Sequence, residues 1–175
     1  MTTQRDGKLI MSTVDIERER ERLWESLGSL PDPEMPVVTL AELGILRSIQ
    51  FDEGAVRVTI TPTFSGCPAI HAIKSDIHER LHSLGYKEIA VEVALSPAWT
   101  TDWISESGRG KLKTFGISPP ARHRGEFEIR LEDIVPCPYC GSDRTEVRNR
   151  FGPTPCRGIA FCNACQQPFE WIKPI

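Results

Sequence analysis

Residues 56–70 read Val56-Arg57-Val58-Thr59-Ile60-Thr61-Pro62-Thr63-Phe64-Ser65-Gly66-Cys67-Pro68-Ala69-Ile70, and this stretch decides the fold. Val56, Val58 and Ile60 alternate with Arg57 and Thr59, the period of a strand with one buried face. Ser65-Gly66 ends that period, and Cys67-Pro68 opens a helix, because proline at the first helical position gives up no hydrogen bond. Upstream, Leu43 to Phe51 and the turn Asp52-Glu53-Gly54-Ala55 make a hairpin with 56–61. Downstream, Ile70, Ile73, Ile77, Leu81 and Leu84 recur at helical spacing, and Gly85 is placed to cap that helix. Ile89, Val91, Val93 and Leu95 then alternate as a third strand.

Residues 1–14 are polar and aperiodic, as in a disordered tail. From Asp15 a helix follows, with Ile16, Leu23, Trp24 and Leu27 on one stripe. Its charge run Glu17 to Arg22 alternates in sign, which describes a solvated face rather than a nucleic-acid grip. Three prolines in Pro31-Asp32-Pro33-Glu34-Met35-Pro36 force a rigid, extended loop. After the third strand, Ser96 to Thr100 is a loop, and Thr101 caps a last helix reaching about Phe115. The order helix, strand, strand, helix, strand, helix over 15–115 predicts an α+β fold with a small sheet packed against helices. Gly116, Pro119, Pro120 and Gly125 mark a linker, and 126–134 alternates as a strand leading to a second module at 137–175.

The chain of 175 residues therefore holds one domain and a small satellite, and a satellite under 50 residues needs a metal or disulfides to stand. A net charge of −3 argues against bulk attraction to nucleic acid or anionic lipid. No apolar run is long enough to span a membrane. The first residues carry no apolar signal segment, so a cytoplasmic setting with reduced thiols is expected. Paired cysteines in that setting are metal ligands rather than bridges.

Five of the six cysteines fall in the satellite. Cys137-x-x-Cys140 and Cys162-x-x-Cys165 are two knuckles, each of which turns two thiolates toward one ion. Four thiolates close a tetrahedral shell, the arrangement of a structural zinc ribbon; a rubredoxin-like electron carrier uses the same spacing for iron. Cys156 is left over, either a small buried thiol between ribbon strands or an additional reactive or iron-binding thiol. In the first domain Cys67 opens a helix, where free amides and the helix dipole favour its thiolate; the alternative is an inert cap. Asp32 and Glu34 offer hard oxygen ligands, or are solvated loop charges.

Two other patterns bear on function. His78-Glu79-Arg80-Leu81-His82 has the spacing of a zinc protease. However, Glu88 stands where that class has a third His or Asp, and every methionine lies upstream. His71, His78 and His82 also fall well off the apolar stripe, so they read as solvated. Arg109, Lys111, Lys113, Arg122 and Arg124 form a basic stretch at 107–125, either a solvated helix end or a dock for an acidic surface or phosphate-bearing ligand.

Pro31 to Pro36 followed by Glu42-Leu43-Gly44-Ile45, and Thr61 to Pro68 around Cys67, resemble the two motifs of the iron–sulfur cluster assembly (FSCA) domain superfamily that includes SufT. Leu95 to Ile104 with Leu112 to Pro119, and a ribbon with Cys-Pro-Tyr-Cys-Gly-Ser and Cys156 before its second knuckle, resemble one branch. That branch is the PaaD family, the D subunits of the phenylacetyl-CoA epoxidase system of phenylacetate catabolism. The resemblance, over about residues 16–175, implies an accessory role in assembly or iron/iron–sulfur maturation of the ring-epoxidising oxygenase, not catalysis. Cys67 would receive or hand on iron or a cluster, with Asp32 and Glu34 shaping its site, and the ribbon would dock the other subunits. The rival reading is a structural or regulatory component that handles no metal. Glu42 departs conservatively from the family's Asp. One cysteine cannot close a cluster shell, so a partner ligand, from a homodimer or from Cys156, would be required.

Overall fold

The computed structural model describes residues 13–52, 54–120 and 135–174. The expected tail before Thr13 and the expected strand at 126–134 lie outside the described residues.

The order of elements follows the expectation: α1 (Thr13–Gly28), β1 (Leu46–Asp52), β2 (Ala55–Ile60), α2 (Ile70–Ser83), β3 (Ile89–Val93), a 3-10 turn (Thr101–Trp103) and α3 (Glu106–Thr114). β1 and β2 are antiparallel, and β3 joins β2 in parallel after the α2 crossover. β2 buries Val56, Val58 and Ile60, as its alternation requires. α2 buries Ile73, Ile77 and Leu81 against them. Gly85, at φ +95°, lets its own amide reach His82 O (3.0 Å) and the Tyr86 amide reach Leu81 O (3.2 Å). This double closure is the Schellman stop, and it requires the left-handed residue that glycine supplies.

Three local expectations are corrected. α1 buries Leu23 and Leu27, but Trp24 is 38% exposed, because only one narrow face meets the sheet and α2. Cys67 and Pro68 lie in a turn ahead of α2 rather than in its first turn. The last helical segment is split: Thr100 caps the 3-10 turn, and Ser105 caps α3 by accepting from the Gly108 amide at 3.0 Å.

The second sheet is β4 (Ile117–Ser118), β7 (Pro168–Ile172), β6 (Arg157–Cys162) and β5 (Thr145–Asn149), in that spatial order. Ile117 and Ser118, expected in a linker, instead form a buried strand parallel to β7. The ribbon sheet is therefore edged by chain that comes directly from α3. Ile117 and Ile172 join the apolar core of the first module, so the two modules share one seam. Arg109 locks it. Its buried guanidinium donates to Thr101 O (2.6 Å), Ile104 O (3.3 Å) and Pro120 O. Among the described residues no helix is long and apolar enough to cross a membrane.

Candidate functional site

The proline loop, expected to be extended, is instead folded back on itself. Pro31 bridges Thr39, the Asp32 amide donates to Val38 O (2.9 Å), and the Leu40 amide donates to Leu30 O (2.9 Å). Asp32 is buried, and its Oδ1 accepts from the amides of Glu34 (3.0 Å) and Met35 (2.8 Å). Short polar side chains favour this local bond, so the tight turn is written in Asp32-Pro33-Glu34-Met35 itself. Met35 of this turn enters the apolar core against which Cys67 also packs.

Cys67 is half-buried, with its amide donated to Phe64 O (3.0 Å). The Ala69 amide points at its sulfur, but burial and the negative neighbours Glu34, Cys156 and Asp32 together push its thiol pKa up. The expected depression by the helix start is thus outweighed. Burial also raises Asp32, partly offset by the Met35 and Glu34 amides and by Arg157. Burial and the Asp32 carboxylate raise Glu34. Cys67 thus feels the charges of Glu34 and Asp32, and both carboxylates feel that of Arg157.

The ribbon cysteines make a separate, closed cluster. Sγ atoms of Cys137 and Cys165 are 3.6 Å apart, as are those of Cys140 and Cys162, and all four lie within 4.8 Å. Tetrahedral ligands at a zinc–sulfur distance of about 2.3 Å are separated by about 3.8 Å, so the donor set fits a four-coordinate ion. Backbone amides also point at the sulfurs. Those of Cys165 and Ala164 pull the Cys162 thiol down to about 6 even though burial opposes this. Gly141 takes φ +71° just after the first knuckle, where a left-handed residue is needed.

Cys156 is not part of that cluster. It precedes β6, whereas Cys162 ends it, and six strand residues span about 20 Å. Cys156 is buried at the seam, its Sγ 3.2 Å from Thr154 Oγ1 and its carbonyl accepting the Lys173 amide at 3.0 Å. Beside it the buried Arg157 donates to Thr154 Oγ1 (2.9 Å) and Glu170 Oε2 (2.7 Å). Sequence reading passes over Arg157, because nothing local distinguishes an arginine that opens a strand.

The remaining candidates are not assembled into sites. His71, His78, Glu79, His82 and Glu88 are exposed, and no metal-capable group forms around them among the described residues. Of the basic stretch, Arg109 is buried on backbone carbonyls and Lys111 is paired with Glu42 (2.8 Å); Arg122 and Arg124 lie outside the described residues. Glu42 also accepts from Ser107 Oγ (2.7 Å) and the Thr39 amide (3.1 Å). Its side chain fastens α3 to the loop after the proline turn.

Residues 121–173 match the family model of the PaaD zinc beta ribbon domain, and residues 20–93 match that of an iron–sulfur cluster assembly protein. A protein of Escherichia coli (strain K12), provisionally described as the D subunit of 1,2-phenylacetyl-CoA epoxidase, is 40% identical over 154 residues, covering 87% of this chain and 92% of that one. An Fe-S protein maturation auxiliary factor of Porphyromonas gingivalis (strain ATCC BAA-308 / W83) is 32% identical over 53% of this chain and 89% of its own. The crystal structure of a domain of unknown function DUF59 from Bacillus anthracis superposes with a TM-score of 0.52 at 28% identity, covering 56% of this chain and 94% of that one.

Proposed function

The chain belongs to the PaaD family of phenylacetyl-CoA epoxidase subunits, and on that premise we propose that it is an accessory protein that assists assembly or iron maturation of the multicomponent phenylacetyl-CoA oxygenase. The observation that supports this reading is that Cys67, half-buried, lies within electrostatic influence of Asp32 and Glu34 on the module that matches an iron–sulfur assembly family. A thiol and two carboxylates make a mixed soft and hard donor set that suits ferrous iron. Iron is here the cargo. Cys67 would exchange its proton for the metal, and the raised thiol pKa makes the proton a competitor, which favours release. The maturation-factor relative supports a role of this kind, as does a site without the closed four-thiol shell of the ribbon.

In the same reading, Cys137, Cys140, Cys162 and Cys165 hold zinc. Zinc in a closed thiolate shell supplies folding free energy and no redox chemistry. The ribbon then holds its sheet in register and offers a surface for the other oxygenase subunits, in a cytoplasmic setting.

The test replaces the chromosomal copy with Cys67→Ser and assays oxygenase activity and iron content of the purified oxygenase. Loss of both is expected. Full activity with full iron would end the metal-handling role and leave a structural or regulatory component. Protein purified without oxygen should carry one zinc per chain and no visible band; a thiolate–iron band would instead favour an electron carrier.

A further inference from the structure

The sheet of the first module has two edges, and one of them is guarded. At the β1 edge the register to β2 is interrupted between Leu46 and Ser48, and Arg20 Nε donates to the Ile49 carbonyl at 3.1 Å. Bulges and long cationic side chains of this kind keep an edge from pairing with another chain. β3 forms the opposite edge. Its residues Ile89-Ala90-Val91-Glu92-Val93 include no lysine or proline, and their register to β2 is unbroken. The one charge, Glu92, is tied to Arg57 on the face opposite the buried Val56 and Val58.

Hydrogen-bond geometry fixes which groups that edge presents. The Val56 amide donates to Glu88 O and the Ala94 amide donates to Ile60 O, both at 2.9 Å. Bonds in a parallel ladder recur at every second residue, so Glu88, Ala90, Glu92 and Ala94 turn their backbone groups toward β2. Ile89, Val91 and Val93 turn theirs outward, and among the described residues no group is bonded to them. The side chains of Ile89 and Val91 pack in part on the core, whereas Val93 is 39% exposed and Leu95, just past the strand, is 58% exposed.

We propose that the free edge of β3 is a dimerisation surface, on which β3 of a second copy of this chain pairs antiparallel about a two-fold axis through Val91. The strand is complementary to itself in this register. Val91 faces its own copy and Ile89 faces Val93 of the second copy, so all the outward amides of Ile89, Val91 and Val93 find a carbonyl. Exposed Val93 is then covered by an isoleucine, an apolar pair that stabilises a sheet. On the other face Glu92 stands opposite Ala90 of the second copy. An axis through Glu92 would instead set two carboxylates against each other, which is unfavourable, and an axis through Val93 would leave Ile89 without a partner. A different protein would need a matching strand, whereas a second copy supplies one by symmetry. The pairing joins two three-stranded sheets into one and leaves the guarded β1 edges on the outside.

The experiment is sedimentation velocity of the reduced, zinc-loaded full chain from about 1 μM to about 1 mM, a span of affinity suited to an interface below about 1,200 Å². Wild type should pass from monomer to dimer as concentration rises. Val93→Lys places a charge on the edge, and Val91→Pro removes an outward amide while sparing the ladder to β2; each should weaken dimerisation at least tenfold. Val14→Lys, at the exposed start of α1, should leave it unchanged. Hydrogen exchange at the Val91 and Val93 amides of the wild type should slow as the dimer fills, which keeps the test open if a variant folds poorly. A chain that stays monomeric throughout would overturn the inference and leave the edge to another protein's strand. A dimer of wild-type strength in Val93→Lys, or one whose Val91 and Val93 amides exchange as fast as in the monomer, would overturn it by placing the interface elsewhere.

Discussion

Arg109→Met tests how firmly the two modules are joined. The guanidinium is buried and donates to three backbone carbonyls: Thr101 at 2.6 Å and Ile104 at 3.3 Å in the first module, and Pro120 just beyond β4. Hydrogen bonds from a charged donor contribute about 1.5–3 kcal/mol each. Three give roughly 4–9 kcal/mol gross, and desolvation of the guanidinium takes back several kcal/mol of that. A net loss of about 3 kcal/mol is expected, since methionine fills the volume but leaves the carbonyls without their donor. For a chain of this size that lowers Tm by about 6–12 °C. Arg109→Lys should recover less than half of the loss, because an ammonium cannot present the planar fork. Thermal unfolding of the metal-loaded protein reads the stability. Labelling of Cys156, 6% exposed in the intact seam, reads its opening and should quicken in the methionine variant. A melting point within about 2 °C of wild type, less than 1 kcal/mol, together with unchanged labelling, would refute the idea that Arg109 holds the seam.

Gly44→Ala should destabilise by about 2–4 kcal/mol, because at φ +69° its Cβ would stand 2.6 Å from Trp103 Cβ and 2.9 Å from Trp103 O; denaturant unfolding checks this, and a neutral result would contradict the packing. Burial works to raise the Glu42 carboxyl, but Lys111, Ser107 and the Thr39 amide win and hold it below its ordinary value of 4.5. Its stabilisation is therefore complete above about pH 4.5 and is lost as pH falls through the depressed folded value. Glu42→Gln should cost about 1–2 kcal/mol at pH 7 and flatten the acid limb of a stability–pH profile; an unchanged limb counts against it. Stripping the ribbon's metal under reducing conditions should melt β5 to β7, since among the described residues only Val135, Ala160, Phe169 and Trp171 join two thiols in its buried cluster. Tryptophan emission should then shift to the red, a change absent in Trp171→Phe, while far-UV helix signal persists; emission that stays blue would show that the ribbon stands without metal.

Periodicity was enough for the first module, because its elements bury one face each. The alternation at Val56, Val58 and Ile60 and the helical spacing of Ile73, Ile77 and Leu81 leave little freedom of register. The two knuckles were equally legible, since four cysteines at metal-ligand spacing have few other uses. Boundaries were less so: the split before α3 depends on Ser105 competing with Thr100 as a cap, a choice settled by local hydrogen bonds. Trp24 shows the limit of a stripe, which says which side chains can be buried together but not how wide a face the neighbours cover.

By itself the sequence determined the element order and the metal knuckles, because each is set by residues close along the chain. Tertiary structure alone decided that Ile117 and Ser118 edge the ribbon sheet, that Arg109 is a buried fastener rather than a basic surface, and that Cys156 is buried outside the knuckle cluster. These depend on how the modules pack. The modules meet because Ile117 and Ile172 gain more by joining the first core than by facing water, and no local pattern records that choice.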